Sequence, residues 1–146
     1  NTGGGIYTQG DVRISSSSIV SNTSSTDGGG IYVRGGSTEE TQIDILNTTL
    51  SGNASNHHGA GIFTFLNAFV HLASVTISNN TADWDENGNG TGGGIYQEDG
   101  NVEIRFMNSI LAGNKDLTVD IFEPWGHGIR GADLQPCLFK LLKEQG

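Results

Sequence analysis

The residues best suited to chemistry stand together in the stretch Asp83-Trp84-Asp85-Glu86-Asn87-Gly88. Asp83-x-Asp85-x-Asn87-Gly88 reproduces the opening of a D-x-[DN]-x-[DN]-G calcium loop, in which hard oxygens alternate along a tight glycine turn and converge on one cation. The bidentate Glu that closes such a loop is replaced here by Gly94, so half of the motif is present. Asp83, Asp85 and Asn87 are therefore the candidate Ca2+ ligands, and Ca2+ is the only cofactor the sequence suggests, none being required. A second chemistry is the cleavage of glycans, which carboxylate pairs flanking a sugar bond perform. His57 with Asp83 or Asp85 would supply the ionisable groups, and Trp84 a platform for a sugar ring. No carboxylate pair is fixed by spacing, and no Arg or Lys stands near to act as a lyase base. A non-enzymatic reading is accordingly favoured. His57-His58 offers a third option, but neighbours on a strand point to opposite faces and rarely share one ion. The bland account of all these residues is a solvated acidic rim; a different turn, between the GGGIY and V-x-I strands, holds Glu39, Glu40, Glu98 and Asp99 and reads the same way.

Composition narrows the partners. The chain of 146 residues carries a net charge of −9 and no basic cluster, which argues against nucleic acid and anionic membrane surfaces. No run of about 18 apolar residues is present, so no membrane-spanning helix is expected. The one cysteine, Cys137, excludes an internal disulfide. Glycine, at 23 residues, is far above its usual ~7% share, which in a folded chain means many turns.

The elements that must position these residues emerge from internal repetition. Gly3-Gly4-Gly5-Ile6-Tyr7 recurs as Gly28 to Tyr32, as Gly59-Ala60-Gly61-Ile62-Phe63, and as Gly92 to Tyr96, with starts 25, 31 and 33 residues apart. Each copy is followed by an apolar residue, two others and an Asn: Ile19 to Asn22, Leu50 to Asn53, Ile77 to Asn80, Leu111 to Asn114. Aligned on those asparagines, Val12 and Ile14, Ile43 and Ile45, Val70 and Leu72, and Ile104 and Phe106 fall into register. Apolar residues two apart mark a strand with one buried face. Each repeat thus holds three strands in fixed order while its length varies, which places insertions at fixed turns of a coiled structure. The expected fold is all-β: a right-handed parallel β-helix of about four coils of three strands. Ile6, Ile31, Ile62 and Ile95 would form one internal stack. Asn22, Asn53, Asn80 and Asn114 would form a structural ladder at a bend, each amide pairing with the one above and below. A meander or sandwich of hairpins is the rival, and does not explain three elements recurring in order.

GGGIY paired with [I/L]-x-x-N resembles the GGA[I/L] and FxxN repeats of the polymorphic outer-membrane protein family, and more widely the bacterial surface proteins built on right-handed β-helix repeats. "NSILAGN", Asn108 to Asn114, is typical of the latter. The resemblance covers roughly residues 1–122, and Ile or Leu stands where the family has the Phe of FxxN. It implies an adhesin-type passenger segment, secreted or at the cell surface, presenting variable turns to a glycan or protein of a host or cell surface. Carbohydrate-active enzymes of the pectate-lyase kind share such repeats and form the alternative; a calcium-stabilised structural module is another. The chain opens inside a repeat, at Asn1, without Met or signal peptide, so it is expected to be a piece continuous with further coils.

Residues 123–146 lack the repeat. Leu134, Leu138, Leu141 and Leu142 have helical spacing, with Pro136 near the start, and a short capping helix over the apolar stack is expected there. Five N-x-[ST] sequons occur, but Asn22 and Asn53 are ladder positions and should be buried. The glycine runs are not phosphate loops: they lack the following Lys-[ST], and a phosphate loop would occur once.

Overall fold

Apolar residues spaced two apart over three to six positions bury one face of a short strand, and residues that tolerate positive φ break the strands at regular points. The computed structural model describes residues 2–98 and 102–117. The first coil comprises β1 (Ile6–Thr8), β2 (Val12–Ser15), β3 (Ser18–Val20) and β4 (Thr23–Ser24). The second comprises β5 (Ile31–Arg34), β6 (Thr41–Leu46), β7 (Thr49–Ser51) and β8 (Ala54–Ser55). The third is β9 (Ile62–Phe65), β10 (Ala68–Ala73), β11 (Thr76–Ser78) and β12 (Thr81–Ala82), and the fourth β13 (Ile95–Glu98), β14 (Val102–Met107), β15 (Ile110–Ala112) and β16 (Lys115–Asp116).

Equivalent strands of successive coils pair in parallel, giving four sheets of four strands: β1-β5-β9-β13, β2-β6-β10-β14, β3-β7-β11-β15 and β4-β8-β12-β16. The chain is a parallel β-helix. Register follows the repeat: Ile6, Ile31, Ile62 and Ile95 lie opposite one another, as do Val12, Ile43, Val70 and Ile104, and Ile19, Leu50, Ile77 and Leu111. These columns, with Ile14, Ile45, Leu72 and Phe106, make one continuous apolar core. Among the described residues no helix is long and apolar enough to cross a membrane.

Each coil has a fourth strand where three were expected. It follows the ladder Asn and is two residues long: Thr23–Ser24, Ala54–Ser55, Thr81–Ala82, Lys115–Asp116. Its inward side chains are small, Ser24 and Ser55 being fully buried, so no apolar alternation announces it. The coil closes through backbone hydrogen bonds there, not through large hydrophobes.

Three corners per coil lie in the left-handed region. One is held by Gly3, Gly28, Gly59 and Gly92; a second by Ser16, Asn47, Ser74 and Asn108; a third by Ser21, Gly52, Asn79 and Gly113. Only the first demands glycine. A Cβ on Gly28 would stand 2.8 Å from the Ile31 carbonyl oxygen and 2.8 Å from the Tyr32 Cβ, and φ there is +67°. The polar second and third corners use Ser and Asn, which tolerate this conformation because their short side chains bond locally. The tail beyond residue 117, with its capping-helix expectation and Cys137, lies outside the described residues, as does Asp99.

Candidate functional site

The corner between the fourth strand of one coil and the GGG of the next is three residues long after β4 and β8 and nine after β12, residues 83–91. This insertion carries the carboxylates singled out in the sequence. It springs from β12 because Thr81 and Ala82 still continue the fourth sheet, while Asp83 takes φ +53° and turns the chain outward. Glu86 N–H closes the turn on the Asp83 carbonyl at 2.9 Å.

Asp83 itself is fully buried. Its carboxylate accepts the Gly88 N–H at 3.0 and 3.2 Å and the Asn89 N–H at 3.3 Å. It is thereby a clasp that folds its own loop, since charge-assisted bonds to backbone donors hold a carboxylate well. Asp85 and Asn87 point to solvent, the Asn87 Nδ2 donating to Asp85 Oδ2 at 2.8 Å. Asn87 Oδ1 accepts the Asn89 N–H at 2.9 Å. Two of the three candidate cation ligands therefore already have backbone donors on their oxygens. Among the described residues no group of three His, Cys, Asp or Glu side chains stands close enough to hold a metal ion. Trp84 is 56% exposed, with only its backbone tied down, its N–H donating to Ser55 O at 3.0 Å.

The shorter turn of the coil before lies alongside. His57 O receives the Asp83 N–H at 3.4 Å, and the His58 N–H donates to Asp27 Oδ1 at 3.0 Å. Asp27, His57, His58 and the insertion thus share one edge of the helix. The two histidine rings are tilted at 49° with centroids 6.3 Å apart, and they do different things. His58 Nδ1 accepts the Thr91 N–H at 3.2 Å and lies 3.1 Å from Thr91 Oγ1, and its ring stacks on Tyr96 at 4.4 Å.

That stacking exposes a feature the sequence reading passed over. The residues after the core isoleucines, Tyr7, Tyr32, Phe63 and Tyr96, project outward in register and stack with centroids 5.2, 4.7 and 5.8 Å apart. Phe63 is wholly covered between its neighbours. Tyr32 is half-buried, and its phenol is pushed above the ordinary range first by that burial and then by the Asp27 charge. The signal was present: an aromatic follows Ile in all four repeats, three opening on GGG and one on Gly59-Ala60-Gly61. Stacking consumes ring faces, so this column serves as an outer seam; Trp84 stands as the exposed aromatic of the insertion.

The expected ladder is complete. Asn22 N–H and Nδ2 both donate to Asn53 Oδ1 at 3.0 Å, Asn53 does the same to Asn80 Oδ1 at 2.9 Å, and Asn80 to Asn114 Oδ1 at 3.0 and 2.8 Å. The second Nδ2 hydrogen of Asn53, Asn80 and Asn114 goes to the carbonyls of Ile19, Leu50 and Ile77. Asn53 and Asn80 are fully buried, so the sequon at Asn53 is sealed in the folded chain.

No curated protein and no solved structure matches the chain. Residues 16–34 and 74–98 match the Chlamydia polymorphic membrane protein repeat. The first of these segments runs from the second corner of coil one through β5, and the second from the equivalent corner through β13, insertion included. With its four stacked coils and its asparagine ladder, this chain is a parallel β-helix repeat protein resembling the polymorphic membrane proteins.

Proposed function

We propose that the chain is a passenger segment of an outer-membrane or cell-surface protein: a rigid β-helix that presents its corner insertions, residues 83–91 above all, to a glycan or protein on another cell. The observation that carries this reading is the contrast between coils held in constant register and corners of unequal length. Four coils keep their register through the core columns and the asparagine ladder, while the corner after β12 is three times as long as its equivalents and holds Trp84 more than half exposed. Exposed aromatics on well-braced loops are typical anchors of recognition, and loops carry function on rigid scaffolds. The match to a membrane-protein repeat supports the location. The negative charge of the chain favours neutral or cationic partners.

Two measurements test it. Beads coated with the purified chain should be retained on immobilised neutral glycans or on cultured epithelial cells, and Trp84→Ala should lower retention several-fold with the circular dichroism spectrum unchanged. Retention that is indifferent to Trp84 and to deletion of the insertion would remove the insertion from the reading. For location, a protease added to intact source cells should cleave the protein; protection in intact cells and cleavage only after lysis would overturn a surface placement.

A further inference from the structure

The geometry points to Asn87–Gly88 as a self-modifying peptide step, at which the chain converts its own asparagine through a cyclic imide to aspartyl and isoaspartyl products. Asn–Gly is the dipeptide in which the second residue's backbone nitrogen most easily reaches the first residue's side-chain carbonyl, because glycine has no Cβ to obstruct the approach. Three groups of the loop already stand where that reaction needs them. The nucleophile, the Gly88 N–H, donates to the buried Asp83 carboxylate at 3.0 and 3.2 Å, so a base is in contact with the proton that must leave. The oxygen that gains charge, Asn87 Oδ1, accepts the Asn89 N–H at 2.9 Å, an oxyanion donor in place. The departing nitrogen, Asn87 Nδ2, donates to Asp85 Oδ2 at 2.8 Å. Asn87 is exposed, so water has access.

The step balances without an oxidant or reductant. Gly88 N bonds to Asn87 Cγ and passes its proton to Asp83, while the carbonyl electron pair moves onto Oδ1. Collapse of the tetrahedral carbon breaks Cγ–Nδ2, and the proton held by Asp83 is relayed through solvent or Asp85 so that the nitrogen leaves as ammonia. Water then opens the imide at either carbonyl. The product adds one negative charge to a chain of net charge −9 and replaces the donor to Asp85 with a like charge, which pushes the loop apart. The insertion therefore has two states of different charge and shape.

The same loop contains its own control. Asn89–Gly90 is chemically identical, but Gly90 is buried, and a Cβ there would stand 2.4 Å from Asp83 N and 2.6 Å from His57 O. That packing denies its backbone the rotation the reaction requires.

The test is to hold the purified 146-residue chain at neutral to mildly alkaline pH and quantify imide and isoaspartate at residues 87 and 89 by mass spectrometry with electron-transfer fragmentation. An unstructured peptide spanning residues 83–91 is the reference. Asn87 in the folded chain should convert roughly a hundredfold or more faster than in the peptide, the low end of what a positioned base contributes, and well ahead of Asn89. Asp83→Asn should slow it to the peptide rate. The inference is overturned if the folded chain reacts no faster than the peptide, or if Asn89 keeps pace with Asn87. A folded Asp83→Asn chain reacting at the parent rate would overturn it equally. Should Asp83→Asn unfold, the comparison with the peptide and the Asn87-to-Asn89 ratio still decide.

Discussion

Asn53 shows how much of the fold rests on one amide. Its Oδ1 accepts two donors from Asn22, and its Nδ2 supplies Asn80 and the Ile19 carbonyl, all within a fully buried environment. Asn53→Ala strands both Asn22 donors and takes one donor from the Ile19 carbonyl, while Asn80 Oδ1 keeps the backbone N–H of residue 53. An unmet buried polar group costs about 1–3 kcal/mol, so a loss of roughly 2–4 kcal/mol is expected in urea denaturation, larger than for the half-exposed Asn22. Tyr32 makes a pH-dependent prediction. Its phenol is raised in the folded chain by burial and by Asp27, so folding favours the neutral form. The contribution is whole below the unfolded tyrosine value near ~10 and is lost as pH rises through the higher folded value. Stability of the parent chain should therefore fall as pH rises past ~10, and Tyr32→Phe should flatten that fall; an unchanged alkaline limb would contradict the assigned environment. At this scale the ladder was legible, because Asn returned at a fixed distance from the apolar strand. The role of Asp83 was not. Its spacing to Asp85 and Asn87 suits a cation, and nothing in the order of residues says that its oxygens face the Gly88 and Asn89 amides instead.

The strands sort by how their cores are built. The first three of each coil alternate apolar and polar residues, and alternation is what sequence reads well. The fourth buries only Ser24, Ser55, Ala82 and their like, and its pairing is forced by its neighbours rather than by its own composition. Two-residue strands become visible only once the stack exists. The outward aromatic seam was half legible: alternation gives the direction of Tyr96, while stacking depends on the coil-to-coil spacing of about 4.8 Å set by the sheets. The insertion at 83–91 is an element of another sort, added to a corner that elsewhere closes in three residues. Shortening it from nine residues to three, on the pattern of Asn56–His58, should leave stability within about 1 kcal/mol, since closure entropy changes slowly with loop length. Thermal denaturation of the shortened chain checks this. A collapse in stability would mean that the His58–Thr91 contact braces the coil rather than the loop.

Across the whole molecule, each coil touches only the coil before and the coil after, so stability is local and cumulative along the axis. Ile6 is half-buried and Ile14 and Ile19 retain 8% and 7% of their exposure, while Ile31, Ile43, Ile45 and Leu50 retain none. Hydrogen exchange on the 146-residue chain should therefore be faster in β1–β4 than in β5–β12, with a gradient along the rod. Uniform protection across the coils would refute a cumulative stack.

The asparagine ladder also gives the rod a direction. In every link the donor belongs to the earlier coil and the acceptor to the later one, from Asn22 through Asn53 and Asn80 to Asn114. The four amide dipoles are thus aligned, and such chains polarise one another. Each coil thus has unlike faces, an accepting oxygen toward the coil before and donating amides toward the coil after. Coils brought to it head to tail prolong the wire of amides; coils brought head to head oppose two acceptors. The architecture is vectorial, and one side chain per coil repeats the sense that the parallel sheets already set.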